Sequence, residues 1–449
     1  MRRPDEAPAG GSLWMEDAAP TAPPLAGDVA ADVAVVGAGF TGLSAAVALR
    51  AAGHSVVVLE AEHVGFGASG RNAGHLTPVV GKDLPTLAAL FRARAPALVA
   101  LAELAVAHVE RTIAEHGIDC AYEPVGNLLA AVHPTQHHVL DGAAKAAAAL
   151  GLAHEVLEPD AMRARDVPVG FTRGLLMKRG GLLHPGRYVR GLRRIAEAAG
   201  ARVFERTPVV RLEAGLPAVL VTPAGRVRAR AVVLGTNAWT PALGWLRGTI
   251  ARFHVYLFAT APLDEAQRAA LGWRGREGIY TAHEMLESWR LTDDHRIVGG
   301  AKTVRYGFGG RALADRPATY AFLERAFRDR FPALRDVPVT HRWGGPIAFA
   351  LDFLPAVGVG GVHRNVFYSA GYAGHGIALA SYAGTMIADL LLGRDGPGRA
   401  LWGHRKVPMP PEPLRWLVAR ALVGAFGAMD GRVDRLARAT RCAGRGNEP

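Results

Sequence analysis

The sequence predicts an α/β chain, in which a doubly wound parallel sheet is joined to an α+β part with a large antiparallel sheet. Two observations carry the first half. Residues 32–36 (DVAVV) form a short apolar run of the kind that makes a buried parallel strand, and the motif Gly37-Ala38-Gly39-Phe40-Thr41-Gly42 follows at once, ahead of an Ala- and Leu-rich helical stretch over 43–52. Gly53-His54 breaks that stretch, and residues 55–59 (SVVVL) read as a second strand that ends at Glu60. The third observation carries the second half. From 250 to about 310, short strand-like runs (RFHVYLFAT, SWRLT, HRIVGG) alternate with turns, which is the pattern of an antiparallel sheet.

The remaining elements follow in order. Residues 1–29 are rich in Pro, Ala and Gly and read as an irregular arm with one hydrophobic island, Leu13-Trp14-Met15. Helices are predicted over 86–116, 135–150, 187–199, about 317–330 and 377–392. Strands are predicted over 125–133, 203–206, 209–213, 218–222, 226–234 and 365–370. Residues 397–449 form a basic tail with a Pro-rich linker at 408–413, and its apolar stretch 416–429 reads as an amphipathic helix, docked on the protein or seeking a membrane surface.

Composition narrows the function. A chain of 449 residues, half of them hydrophobic, allows two or three domains and a large core without disulfides or metals. Cys120 and Cys442 lie far apart and make no CxxC, which excludes a disulfide framework and a cysteine zinc site; no metal is expected. The net charge of +12 could serve nucleic acid, acidic lipid or an anionic cofactor, but the arginines are spread along the chain, so a basic surface is expected and nucleic acid is not. No run reaches the ~18 apolar residues of a membrane helix. Arg2-Arg3 is followed by Pro4, Asp5 and Glu6 rather than an apolar segment, so a cytoplasmic protein is expected.

Each part of Gly37-x-Gly39-x-x-Gly42 has a physical role in holding a dinucleotide. Gly37 makes the tight turn, Gly39 lets a pyrophosphate approach the backbone, and Gly42 lets helix and strand pack closely. The helix N-terminus offers free N–H groups and the positive end of its dipole to the phosphates. Glu60, 18 positions after Gly42, suits a ribose 2′-hydroxyl and disfavours a 2′-phosphate. A second strand ends in Gly235-Thr236-Asn237, and a third glycine cluster, Gly371-Tyr372-Ala373-Gly374-His375-Gly376, opens the helix from Ile377. Three such elements across the chain suit an elongated FAD better than NAD, and a single Gly-x-Gly-x-x-Gly argues against a separate NAD(P)H domain.

At these residues the sequence resembles a known family. VAVVGAGFTGLSAAVALRAAGHSVVVLE, GFGASGRNAGHL, GGLLHPGRYVRGL, HRWGGPIAFALDFLPAVG and GYAGHGIALA are similar to the glycine/D-amino-acid oxidase-like (DAO) FAD-dependent oxidoreductases, and SGRNAG and THRWGGPIAF point to the gamma-glutamylputrescine oxidoreductase-type amine oxidases among them. The resemblance implies a Rossmann-like FAD-binding domain in pieces at 30–85, 160–240 and 340–396, interleaved with substrate-domain pieces at 86–159 and 241–339, between the arm 1–29 and the tail 397–449. It implies FAD contacts at Gly37, Gly39, Phe40, Thr41, Gly42, Glu60 and Ala61. Ser69, Gly70, Arg71, Asn72, Ala73 and Gly74 would wrap the pyrophosphate and approach the flavin. Val209 would meet the adenine and Gly235 would close the cradle. Gly374, His375, Gly376 and Ile377 would face the flavin pyrimidine ring.

The implied reaction removes a hydride from the carbon beside an amine nitrogen, with oxygen or another acceptor taking the electrons and the imine hydrolysing to an aldehyde or keto product. His75 is expected over the flavin as a proton acceptor or polar substrate contact, His375 beside the flavin, and Lys302 as a positive charge near its reacting face. Arg71 and Asn72 are expected to donate to flavin or phosphate, and His254 and Tyr256 to line the substrate pocket. In alpha-amino-acid oxidases of the family an arginine stands in the segment before the Asp-x-x-Pro element; here Ile347 falls at that place, which argues for an amine or a gamma-linked amide rather than a simple alpha-amino acid. Oxidation of a 2-hydroxy acid or polyol is the alternative on the same fold, and an FAD protein acting on RNA or docked at a membrane is a minor one.

Overall fold

The computed structural model describes residues 11–16 and 22–445, so Arg2, Arg3 and most of the predicted arm lie outside the described residues. Two eight-stranded sheets organise the chain. The first runs in the order Ala356–Gly360, Val366–Ala370, Gly225–Leu234, Val29–Val36, Val56–Leu59, Arg202–Phe204. Its central pairings are parallel, and the edge pair Ala356–Gly360 with Val366–Ala370 is antiparallel. Val29–Val36 lies between a strand that follows it closely and one about 200 residues later in the chain. The strand order therefore reverses here, and the carboxyl ends of Val29–Val36 and Gly225–Leu234 open on a crevice. An antiparallel hairpin, Arg211–Glu213 with Ala218–Thr222, hangs off Gly225–Leu234.

Two helices pack closely against this sheet. Phe40–Ala51 and Gly376–Leu392 meet through small residues, and a side chain on Gly384 would collide with the Ser44 backbone. Thr41 Oγ1 and Ser369 Oγ both lie 2.7 Å from the Tyr372 hydroxyl, which ties the two helix N-termini together.

The second sheet runs Val339–Phe349, Ala251–Thr260, Ile297–Tyr306, Glu287–Leu291, Gly278–Thr281, Asn127–Ala131, Arg173–Met177, His154–Leu157. One of its faces packs on the helix Pro317–Arg330 in a core rich in aromatics, including Phe258, Trp289, Phe327 and Phe331. The antiparallel pattern read from 250–310 is present, and the edge strand Val339–Phe349 adds to it. That strand escapes a reading by pattern because it carries Gly344-Gly345-Pro346. Proline is compatible with it because the strand lies at the sheet edge.

The helix predicted over 86–116 is two helices, Leu84–Phe91 and Ala95–Glu115, with Arg92 at φ +35° between them. Pro96 sits in the first turn of the second helix, where no N–H is required, and would break a continuous one. The tail contains a 32-residue helix, Leu414–Arg445, whose buried docking contacts are acidic, while Arg438 pairs with Asp329 at 2.7 Å nearer the surface. Asp430 accepts from the backbone N–H groups of Glu284 and Met285, both at 2.9 Å. Asp434 joins a buried cluster with Lys302, Arg330, Glu287 and His283. Among the described residues no helix is long and apolar enough to cross a membrane.

The cluster holds the C-terminal helix to the second sheet. Burial would raise the Glu287 pKa, but Arg330, Lys302 and His283 more than reverse this and hold it at about 2, against an ordinary 4.5. Its contribution to stability is therefore complete above pH 4.5 and is lost as the pH falls toward 2. Glu287→Ala should cost about 3–5 kcal/mol, because it leaves the buried Lys302 and Arg330 charges to share Asp434 alone. Urea denaturation at pH 7 checks this, and a loss below about 1 kcal/mol would contradict the assigned role of the cluster.

Candidate active site

A cavity of about 2040 Å³ runs from the crevice of the first sheet to the second sheet and the C-terminal helix. Its narrow end is built by glycines. Gly37, at φ +97°, closes the turn after Val29–Val36, and its N–H donates to the Leu59 carbonyl at 2.8 Å. Gly39 caps the helix Phe40–Ala51 with no side chain, and a Cβ there would come within 2.8 Å of Ser69 Oγ. A Cβ on Gly42 would collide with the Gly37 carbonyl, and one on Gly235 would lie 2.9 Å from the Gly42 nitrogen. Ser69 Oγ accepts from the Phe40 N–H at 3.0 Å, which draws the loop 69–74 over the helix N-terminus.

Glu60 stands at the end of Val56–Leu59. Its Oε2 accepts from the Ala38 N–H at 2.8 Å and its Oε1 from the Glu62 N–H at 3.0 Å, so each oxygen retains a lone pair toward the cavity. Burial raises its pKa to about 7, against the lowering effect of these two bonds. Ala61 and Val209 line the cavity beside it. At the far side of the crevice, Gly374 (φ +91°), His375, Gly376 and Ile377 form the N-terminus of Gly376–Leu392, where no side chain caps the helix. Burial lowers the His375 pKa, so the imidazole is neutral.

The loop after Ser69 holds itself in shape. Asn72 Nδ2 donates to the Ala68 and Ser69 carbonyls at 3.0 and 2.9 Å, and its Oδ1 accepts from the Gly74 N–H at 2.8 Å. Arg71 donates to the Phe66 carbonyl at 2.8 Å and to Gly344 at 3.0 Å, which joins the loop to the second sheet. Both side chains were expected to serve flavin or phosphate; both line the cavity, and the bonds named here shape the loop that Gly70 and Ala73 complete. Trp14, from the predicted hydrophobic island, donates to the Asn72 carbonyl at 2.7 Å, and Trp343 donates to Arg71 at 3.0 Å.

His75 follows directly, in a short strand paired with Leu182. It is 7% exposed, packs at 4.5 Å against Tyr280 with the rings tilted by 37°, and has its Nδ1 3.0 Å from Asn127 Oδ1. His375 lies 6.5 Å from Tyr280, so His75, Tyr280 and His375 form one wall of the cavity. Ile347 stands near it, with its Cδ1 4.0 Å from the point a Gly374 Cβ would occupy.

Three expected residues are placed differently. The Lys302 ammonium is bonded to Glu287 and lies 2.8 Å from Asp434, so its charge is already balanced in the buried cluster. The cause is local: Ala301 and Lys302 both have positive φ, at an irregularity in the pairing with Ala251–Thr260. Tyr256 packs edge-on against Tyr320, 5.9 Å away on the helix Pro317–Arg330, and His254 Nε2 lies 3.3 Å from Asp315. Both side chains occupy the face of the strand turned to that helix. The alternate residues Phe253 and Val255 share the other face with Ile347 and Gly345, and all four positions 253–256 border the cavity. Tyr280, Asn127 and Arg290 were missed; the only signal among them is a polar Asn127 inside the apolar run VGNLLAAVH.

The uncapped helix ends, the mutually fitted glycines and the available Glu60 lone pairs fit an elongated dinucleotide. The model of the family described as "FAD dependent oxidoreductase" (DAO) matches residues 32–390. The chain belongs to this family. It is 31% identical to gamma-glutamylputrescine oxidoreductase of Escherichia coli (strain K12) over 372 residues, covering 81% of this chain and 84% of that one. It is 28% identical to D-amino acid dehydrogenase of Methylobacterium sp. (strain 4-46), covering 81% of this chain and 95% of that one. The crystal structure of glycine oxidase from Geobacillus kaustophilus shares the fold, with a TM-score of 0.70 at 21% identity over 82% of this chain and 96% of that one. The family's cofactor is FAD and the protein is an oxidoreductase. Glu60 and Ala61 with Val209 would hold the adenosine half, and the two helix N-termini the pyrophosphate and flavin.

Glu60→Ala should weaken FAD binding by about 1–3 kcal/mol, the worth of one lost charge-assisted bond. Fluorescence titration of apoprotein with FAD checks this, and an unchanged Kd would contradict the ribose role.

Proposed function

We propose that the protein oxidises the C–N bond of an amine or of an amino-acid-derived amine, and that the resulting imine hydrolyses to an aldehyde or keto product. FAD, when bound, supplies the hydride acceptor, and oxygen or another acceptor takes the electrons onward. The observation that carries this reading is the wall facing His75 and His375. It presents aliphatic Ile347 where a bidentate clamp for an alpha-carboxylate is expected, beside neutral imidazoles suited to an amine.

The chain's own residues contribute position and electrostatics. A low-dielectric pocket favours the neutral amine, which has the lone pair needed to form the C=N bond as hydride departs. The N-terminus of Gly376–Leu392 places the positive end of a helix dipole toward the site, where it stabilises negative charge. His75 is the proposed polar contact to the substrate nitrogen, with His375 as a second polar group on the same wall. The likeness to gamma-glutamylputrescine oxidoreductase of Escherichia coli supports an amine donor.

Anaerobic mixing of the holoenzyme with a panel of amines, amino acids and hydroxy acids tests the proposal. Amines should bleach the flavin and, after reoxidation, yield carbonyl product; a primary amine should also yield ammonia. Bleaching by 2-hydroxy acids alone would transfer the reading to alcohol oxidation. Ile347→Arg should improve the kcat/KM for a simple alpha-amino acid relative to an amine by about tenfold or more, because a new guanidinium can hold the carboxylate. An unchanged ratio would mean that this position does not govern carboxylate recognition.

A further inference from the structure

His75 is held by a group that settles which of its nitrogens carries the proton. Asn127, on the strand Asn127–Ala131, places its Oδ1 3.0 Å from His75 Nδ1. Its amide cannot be turned over without loss, because Nδ2 donates to the Leu76 carbonyl at 2.9 Å. The oxygen facing His75 can only accept, so Nδ1 bears the hydrogen and Nε2 keeps its lone pair. Nε2 is buried and has no partner among the described residues, and His75 lines the cavity. An orphaned acceptor on an otherwise satisfied, nine-tenths-buried ring is the feature a ligand N–H would complete.

The surroundings keep the ring uncharged. From Gly278–Thr281, Tyr280 packs against it, its phenol held neutral by burial, and Gly278 leaves space that a Cβ would take from the imidazole. From Glu287–Leu291, the buried Arg290 guanidinium donates to the Leu183 carbonyl at 2.6 Å and to Gly74 at 3.4 Å. From the N-terminus of Gly376–Leu392 comes neutral His375. Glu123, Asp293 and Asp294 partly offset the Arg290 charge. Burial first, and the Arg290 charge second, hold the His75 pKa at about 3.

We infer that Asn127 is a positioning residue that fixes His75 as the Nδ1–H imidazole, so that its Nε2 accepts an N–H from an amine bound as the free base. This rests on the amine reading above. An imidazolium could not accept the bond. An ammonium there would be repelled by the Arg290 charge, the same charge that disfavours a protonated His75. With one N–H held by Nε2, the nitrogen lone pair stays free for the C=N bond, and the held N–H becomes a better donor as positive charge develops on nitrogen.

Two measurements on the FAD-loaded protein decide it. Nitrogen-15 NMR of histidine-labelled protein should show His75 neutral, with Nδ1 protonated and Nε2 bare, from pH 6 to 8; a proton on Nε2 would overturn the inference whatever the substrate. The pH profile of kcat/KM for anaerobic flavin reduction should rise with the pKa of the amine used and shift when a weaker base is substituted, with no limb from an enzyme imidazole. Asn127→Asp puts a carboxylate on Nδ1, which should stabilise the imidazolium and add an acid-side loss of tenfold or more. Asn127→Leu should lower kcat/KM at all pH values and leave the FAD content unchanged. An Asn127→Asp profile identical to that of the parent would overturn the positioning role. If no amine reduces the flavin, the proposed function falls and the substrate half of this inference falls with it, while the NMR result still judges the tautomer.

Discussion

The site depends on the mutual fit of three glycines. Gly37, Gly42 and Gly235 sit where the strands Val29–Val36 and Gly225–Leu234 end and the helix Phe40–Ala51 begins, and each occupies space that a side chain on another would need. Their close approach brings the uncapped helix N-terminus to the reversal point of the sheet. It also leaves the backbone donors there facing a cavity rather than a neighbouring side chain. Glu60, Ser69 and the second uncapped helix at Gly376 are useful to a dinucleotide only because this junction sets their distance from one another.

Buried charge performs the corresponding work on the other side of the cavity. Arg290 lies under the loop at Gly74 and donates to two backbone carbonyls, so it both supports the loop carrying His75 and helps keep that imidazole neutral. Glu287, three residues earlier on the same strand, pairs with Lys302 and Arg330 and so anchors the C-terminal helix through Asp434. That helix in turn supplies Val418, Leu422 and Phe426 to the outer wall of the cavity. It lies beyond residue 390, where the match to the family model ends, so a segment outside that match helps to line the cavity.

The nucleotide half was largely legible because its chemistry is local. A tight turn, a close phosphate approach and an acidic strand end each require a particular residue at a fixed spacing, and 37–42 with Glu60 displays them in order. The substrate half was not. Alternation along residues 252–260 correctly marked a strand but left undetermined which face the cavity would take, and His254 and Tyr256 lie on the face turned to the helix Pro317–Arg330. Lys302 was read as free charge because its partners, Glu287 and Asp434, are 15 and 132 positions away. The tail was read as basic from its total charge, whereas its buried docking contacts come from Asp430 and Asp434, with Arg438 pairing Asp329 nearer the surface.

The sequence by itself determined the parallel nucleotide-binding unit, its cofactor class and the aliphatic residue at position 347, because these rest on backbone conformation and residue type at short range. Only the tertiary structure decided which side chains stand free in the cavity and which are already bonded. A titratable group's role depends on what surrounds it, and for His75 those surroundings are Asn127, Tyr280, Arg290 and His375, brought together from four separate parts of the chain.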